Sequence, residues 1–354
     1  MTFSLRRNPL LPILVALSFA LLEALLASRA PGSALAAFFG GPFASPWALS
    51  TLIDSSAPLL VSALAAGLAF RAGIFNLGGE GQAALGLLAG SLVLSHSAPL
   101  PPFLAIPLAL VVAALAGGAL ALLSGLAERR FGASVLLTTF LFSQATLVVV
   151  DWLLAGPLRD PGSNLLGMPA LPQDLLFPRL IKGLPLSLAP VLALLIALVL
   201  ILGIKATRSG FELGLFGLSR RFAHTQGFDE NLDLWPLALS GALSGVAGLF
   251  VVLGSSGQAV QGMSAGLGWN GLAISLVAGT DPLIALPASL FFAFLDAGAR
   301  SAAILSDLSP ETAAVMKALV LLLVTARFTL GKSGGRARPP SSSVPETTPG
   351  GRSS

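Results

Sequence analysis

The sequence predicts an all-α polytopic membrane protein of about ten transmembrane helices, some broken or re-entrant, with both termini on the inner side. Three observations carry this. The 354 residues are 55% hydrophobic and only 10% charged, with a mean hydropathy of +0.87, whereas soluble domains carry about 25% charged residues. Apolar runs recur near 10–28, 56–70, 82–98, 103–127, 133–155, 184–204, 236–254, 268–280, 283–300 and 312–328. Basic residues divide unevenly between the two sides those runs define. Fourteen fall inside, among them Arg6, Arg7, Arg129, Arg130, Lys205 and Arg208, against five outside: Arg29, Arg159, Arg179, Lys182 and Arg300. That is the positive-inside bias, so the net charge of +4 reads as topology and not as affinity for nucleic acid.

In chain order, the first run spans 19 residues, Leu10–Ser28, behind Arg6 and Arg7. It resembles a signal peptide but is long enough to be an uncleaved first helix. The runs at 56–70, 268–280 and 312–328 fall below the ~20 residues of a straight span, which suggests short, tilted or re-entrant pieces. Gly86-x-x-x-Gly90 and Gly241-x-x-x-Gly245 have the small-residue spacing of close helix contacts. Residues 156–183, rich in Pro and Gly with mixed charge, form the longest outer loop. The spans belong to one transmembrane domain, 1–330. Residues 331–354 hold Pro, Ser, Gly and Thr without apolar periodicity and read as a disordered cytoplasmic tail.

The chain has no cysteine, which excludes disulfides and thiolate chemistry. It has no Gly-x-x-x-x-Gly-Lys-Ser/Thr phosphate loop, no His-Glu-x-x-His and no Gly-x-Ser-x-Gly. His96 and His224 fall on different predicted sides. No catalytic residue, metal site or cofactor is expected.

The most informative stretch is Phe70-Arg71-Ala72-Gly73-Ile74-Phe75-Asn76-Leu77-Gly78-Gly79-Glu80-Gly81-Gln82. Polar and ionisable groups are costly at membrane depth and usually face a cavity or a bundle interior. Glycines 73, 78, 79 and 81 let the backbone bend, and a broken helix lined with polar side chains is a common way to build a translocation path. Asn76, Glu80 and Gln82 therefore line a path or hold the break open. The plainer alternative is that Glu80 pairs with Arg71 and only fixes the turn. Phe75 stacks on a ring of the cargo or simply packs. Gly268-Trp269-Asn270-Gly271, after Gln258 and Gln261, could supply stacking and hydrogen bonds to a riboside; an interfacial Trp with ordinary loop amides is the alternative.

The 70–82 stretch resembles the signature of permeases of ATP-driven (ABC) importers in the branch that takes up nucleosides and related ribosides, which reads roughly Phe-Arg-Ala-Gly-x-Phe-Asn-Ile-Gly-x-Glu-Gly-Gln. Gly156–Gly162, Ser240–Gly248 and Gly266–Ala273 agree with further stretches of that family in order and spacing, so the resemblance covers about residues 45–330. It implies a permease subunit in a bacterial plasma membrane. A second, related permease, an ATPase subunit and an outer substrate-binding protein would be its partners. The cargo would be a nucleoside, especially a purine one, with riboflavin-like compounds or simple sugars left open. It also implies that a short cytoplasmic helix in Arg208–Phe228 docks on the ATPase. There the family pattern Gly-x-Asn-Pro-x-Ala-Ala-x-x-Ala-Gly-Ile faces Gly217, Ser219, Arg220, Arg221, Phe222 and Gly227. Ser219 can cap a helix as Asn would; Arg220 in place of Pro and the bulky Phe222 are departures. A plain basic topology anchor is the alternative for this loop, and a gradient-driven transporter or a membrane enzyme is the alternative for the whole chain.

Overall fold

The structure, a computed structural model, describes residues 28–97, 100–219, 223, 225, 233–311, 315 and 318. The run at 10–27, Arg220, Arg221 and Gly227, most of 312–328 and the 331–354 tail lie outside the described residues.

Ten α-helices occur among the described residues: α1 (Pro31–Gly40), α2 (Pro46–Arg71), α3 (Gly79–Ser95), α4 (Pro102–Phe131), α5 (Val135–Ala155), α6 (Ala189–Ala206), α7 (Arg208–Leu218), α8 (Trp235–Val251), α9 (Leu267–Val277) and α10 (Pro282–Leu305). Six are long and apolar enough to cross a membrane: α2, α4, α5, α6, α10, and α8 with its π-helical extension to Ser256. α3 has 17 residues, about 26 Å at 1.5 Å per residue, close to the ~30 Å hydrocarbon core. α9 has only 11, as the short 268–280 run suggested. The fold is the all-α polytopic membrane architecture that the sequence predicts.

α8 is the central element and packs on α4, α3 and α2; α9 and α10 lie against α2, and α5 against α3. Small residues permit this. A Cβ on Gly245 would overlap the Ala113 carbonyl of α4, and one on Gly86 would overlap Gly245 itself. Both Gly-x-x-x-Gly pairs thus serve packing within the chain, where backbone proximity supplies the dispersion contact that hydrophobicity cannot supply in lipid. α2 and α8 are mostly enclosed, while α4, α5 and α6 leave most of their apolar surface open.

One expectation needs correction here. The 56–70 run is not a short span but the inner part of a 26-residue helix that starts at Pro46, with Ser45 accepting the Ala48 N–H at 3.1 Å as its cap. Ser50, Asp54 and Ser56 interrupt the apolar pattern, yet all three are buried, and Asp54 accepts the Ser187 N–H at 2.7 Å. Before α2, α1 packs Phe38 edge-on against Phe294 of α10.

The elements alternate in direction, so one end gathers the C-termini of α2, α4 and α6 with Arg71, Arg129, Arg130 and Lys205. Arg129 closes an ion pair with Asp233 there, tying α4 to the start of α8. At the opposite end the 156–188 loop is an ordered cover. Met168, Leu171 and Phe177 donate backbone N–H groups to Ala259, Gly257 and Leu253 at 2.8–3.1 Å.

Candidate functional site

α2 ends at Arg71, and the chain turns at 72–73 and returns through 74–78 without regular structure before α3 begins at Gly79. Gly73 turns it at φ +68°, a value that favours glycine. The return segment is fixed by its own amides. Asn76 Nδ2 donates to Gln82 Oε1 at 3.0 Å, and Gln82 Nε2 donates back to Asn76 Oδ1 at 3.1 Å. Asn76 also donates to Ser240 of α8 at 3.0 Å and accepts the Gly78 N–H at 2.9 Å. Thr139 and Ser143 of α5 accept the N–H groups of Leu77 and Gly81 at 3.2 and 2.8 Å. Asn76 and Gln82 are buried. These bonds tie the two amides to each other, to Gly78 and to α8.

Glu80 is 5% exposed and reaches across to α9. Its Oε1 accepts the Gly266 N–H at 2.6 Å, and its Oε2 accepts those of Gly268 at 2.8 Å and Trp269 at 3.4 Å. These are the unsatisfied donors that every helix N-terminus presents, so a carboxylate from α3 caps α9 from outside it. The approach is close enough that a Cβ on Gly268 would overlap Glu80 backbone. The expected alternative, Glu80 paired with Arg71, is corrected here. Arg71 Nη1 donates weakly to the Thr280 carbonyl at 3.5 Å, and its Nε is buried without a partner among the described residues.

The aromatic candidates are half-exposed, and each ring lies against another ring. Phe75 is 53% exposed, and its ring lies 5.0 Å from that of Phe70. Trp269 is 47% exposed and edge-on to Phe140 at 6.5 Å, and Asn270 is placed by the helical bond of its N–H to Gly266. Glu80 does border a cavity of about 150 Å³, shared with Ala84 and Leu87 of α3, Leu147 and Asp151 of α5, and Val260 and residues 262–265.

At the basic end the break meets α7. A Cβ on Gly217 would overlap the Arg71 carbonyl, and Gly73 faces Gly217 backbone from the other side. Ser219 ends α7 in extended backbone, and its carbonyl accepts the Ala223 N–H at 3.1 Å. Sequence reasoning missed Ser143, Thr139 and Ser240 as supports. A lone Ser or Thr in an apolar run carries no signal of its distant partner.

The topology and this polar break define an integral membrane permease. Residues 48–325 match the family described as branched-chain amino acid transport system / permease component, and the chain belongs to it. Among its relatives, the probable riboflavin import permease RfuC of Treponema pallidum is 30% identical over 89% of this chain and 85% of its own length. The guanosine ABC transporter permease NupP of Bacillus subtilis is 28% identical over 92% and 95%. The glucose ABC transporter permease TsgB13 of Haloferax volcanii is 26% identical over 91% and 87%. The chain is a multi-pass permease subunit of the ABC-importer kind.

Proposed function

We propose that this chain forms the translocation pathway for a nucleoside or a related riboside, in a plasma-membrane importer driven by a separate ATPase subunit. Riboflavin-like compounds and simple sugars are the second reading for the cargo, favoured by the names of two of the relatives. The observation that carries the proposal is the unbroken mechanical line through the 70–82 stretch. α7 touches the break through Gly217 and Gly73, the break is locked by Asn76 and Gln82, and Glu80 grips the start of α9. A displacement of the basic end therefore moves α9, which lies beside the cavity.

In this reading Arg208–Phe228, with Gly217, Ser219, Arg220, Arg221 and Gly227, is the surface that the ATPase pushes. ATP binding draws two ATPases together, and the motion passes through α7 into the break. A second permease completes the path, and an outer binding protein delivers the cargo. Glu80 serves poorly as the proton carrier of a gradient-driven transporter, because protonation would weaken the cap on α9 each cycle. The test is a mild-detergent pull-down of the tagged chain from its native membrane with mass spectrometry. An ATPase and a second permease are expected. A chain that emerges alone across several detergents contradicts the proposal.

A further inference from the structure

The cavity above Glu80 holds a second acid, and the two differ in availability. Both oxygens of Glu80 are already taken by N–H groups of α9. Asp151 lines the same cavity and has no hydrogen-bond or ion-pair partner among the described residues. It sits eight residues beyond Ser143, the residue level with Gly81, which is about 12 Å along α5 at 1.5 Å per residue. The walls between are apolar: Ala84 and Leu87 follow Glu80 along one face of α3, and Leu147, Val150 and Leu154 flank Asp151 on α5. The third wall carries Ser264, buried and with no partner for its hydroxyl among the described residues.

Asp151 is partly exposed, so its unpartnered oxygens are open to the donors of a ligand in an otherwise apolar-walled space. An ionised carboxylate is acceptor-only, with two oxygens spaced for a pair of donors. The space is below the ~300–1,000 Å³ of pockets that enclose a whole drug-sized ligand, so it suits one sugar-sized part of a larger molecule. We propose that this cavity is a sugar subsite, in which Asp151 accepts both hydroxyls of a vicinal diol and Ser264 bonds the same moiety. It rests on the reading of the chain as a riboside or sugar permease and names the residues that engage the cargo there. Apolar walls leave a base or flavin ring unconstrained by hydrogen bonds, so the subsite reads the polyol and not the ring.

The native chain has no cysteine, so Met263→Cys places a single thiol on the cavity wall. The full-length variant in nanodiscs is labelled with a small methanethiosulfonate, with and without millimolar guanosine, 2′,3′-dideoxyguanosine, riboflavin, lumiflavin (which lacks the ribityl chain) or sodium chloride. Guanosine or riboflavin is expected to slow labelling while its diol-free counterpart does not. In the Asp151→Asn background the same protection should need about tenfold more probe or worse, as expected for a lost bond to a charged acceptor. Ser264→Ala should weaken it in the same direction. An unchanged labelling rate without probe shows that each variant keeps the cavity. The proposal is overturned if neither diol probe protects, if the diol-free compounds protect equally, if Asp151→Asn leaves protection intact, or if sodium alone protects. The readout needs no ATPase: diol protection in a chain that copurifies with no ATPase would sink the importer and spare the subsite.

Discussion

Glu80→Ala removes the side-chain acceptor that caps the start of α9. Two N–H groups, those of Gly266 and Gly268, lose bonds of 2.6 and 2.8 Å in a largely buried site; the Trp269 contact at 3.4 Å adds little. Hydrogen bonds to a charged acceptor contribute ~1.5–3 kcal/mol each, so the loss is ~3–6 kcal/mol of local stability at the α3–α9 junction. Glu80→Gln keeps one acceptor oxygen and turns the other into a donor facing a donor, so it should cost at least half as much. Glu80→Asp shortens the reach and should resemble the alanine variant. The remaining contacts of α9 with α2 keep the chain assembled. Amide hydrogen exchange at residues 266–269 of the purified complex is the assay, run beside uptake in cells. Faster exchange by two orders of magnitude or more is expected, since ~3 kcal/mol is over a hundredfold, together with lost uptake. Wild-type exchange and wild-type uptake in Glu80→Ala would refute the capping role.

Other outcomes follow from the same geometry. Asn76→Ala strips four buried hydrogen bonds and should lower uptake severely while the protein still reaches the membrane; normal uptake would show that the amide pair is dispensable. Gly217→Val forces α7 away from Arg71, so ATP hydrolysis by the copurified ATPase should persist while uptake falls; tight coupling in that variant would remove the Gly73–Gly217 contact from the route. Asp54→Ala frees the Ser187 N–H and should raise protease sensitivity of the 156–188 cover, read by limited proteolysis, with little change at the basic end.

The spans whose lipid-facing surfaces are apolar throughout, α4, α5 and α6, were legible because each residue type states its environment. α2 was read short because Ser50, Asp54 and Ser56 look like solvent-facing residues in one dimension. In the structure they face the protein interior, where Asp54 finds Ser187 far along the chain. The 70–82 stretch stood out by composition, and its role as a break was legible from its glycines. Its partners were not. Arg71 was the nearest opposite charge to Glu80 in sequence, yet the partners are backbone N–H groups 186 to 189 residues away. Backbone donors at a helix start leave no residue-type signature, so only the fold reveals them. Asp151 lies within the apolar 133–155 run, but its place above Glu80 in one cavity depends on how α5 leans on α3.

The most direct test of the central claim is transport by the copurified complex in sealed proteoliposomes, measured with labelled guanosine and riboflavin. Accumulation of at least one of them that requires ATP on the ATPase side, survives ionophores and disappears in Glu80→Ala is the predicted result. Accumulation without ATP that an ionophore abolishes would contradict the account and make the chain a gradient-driven transporter.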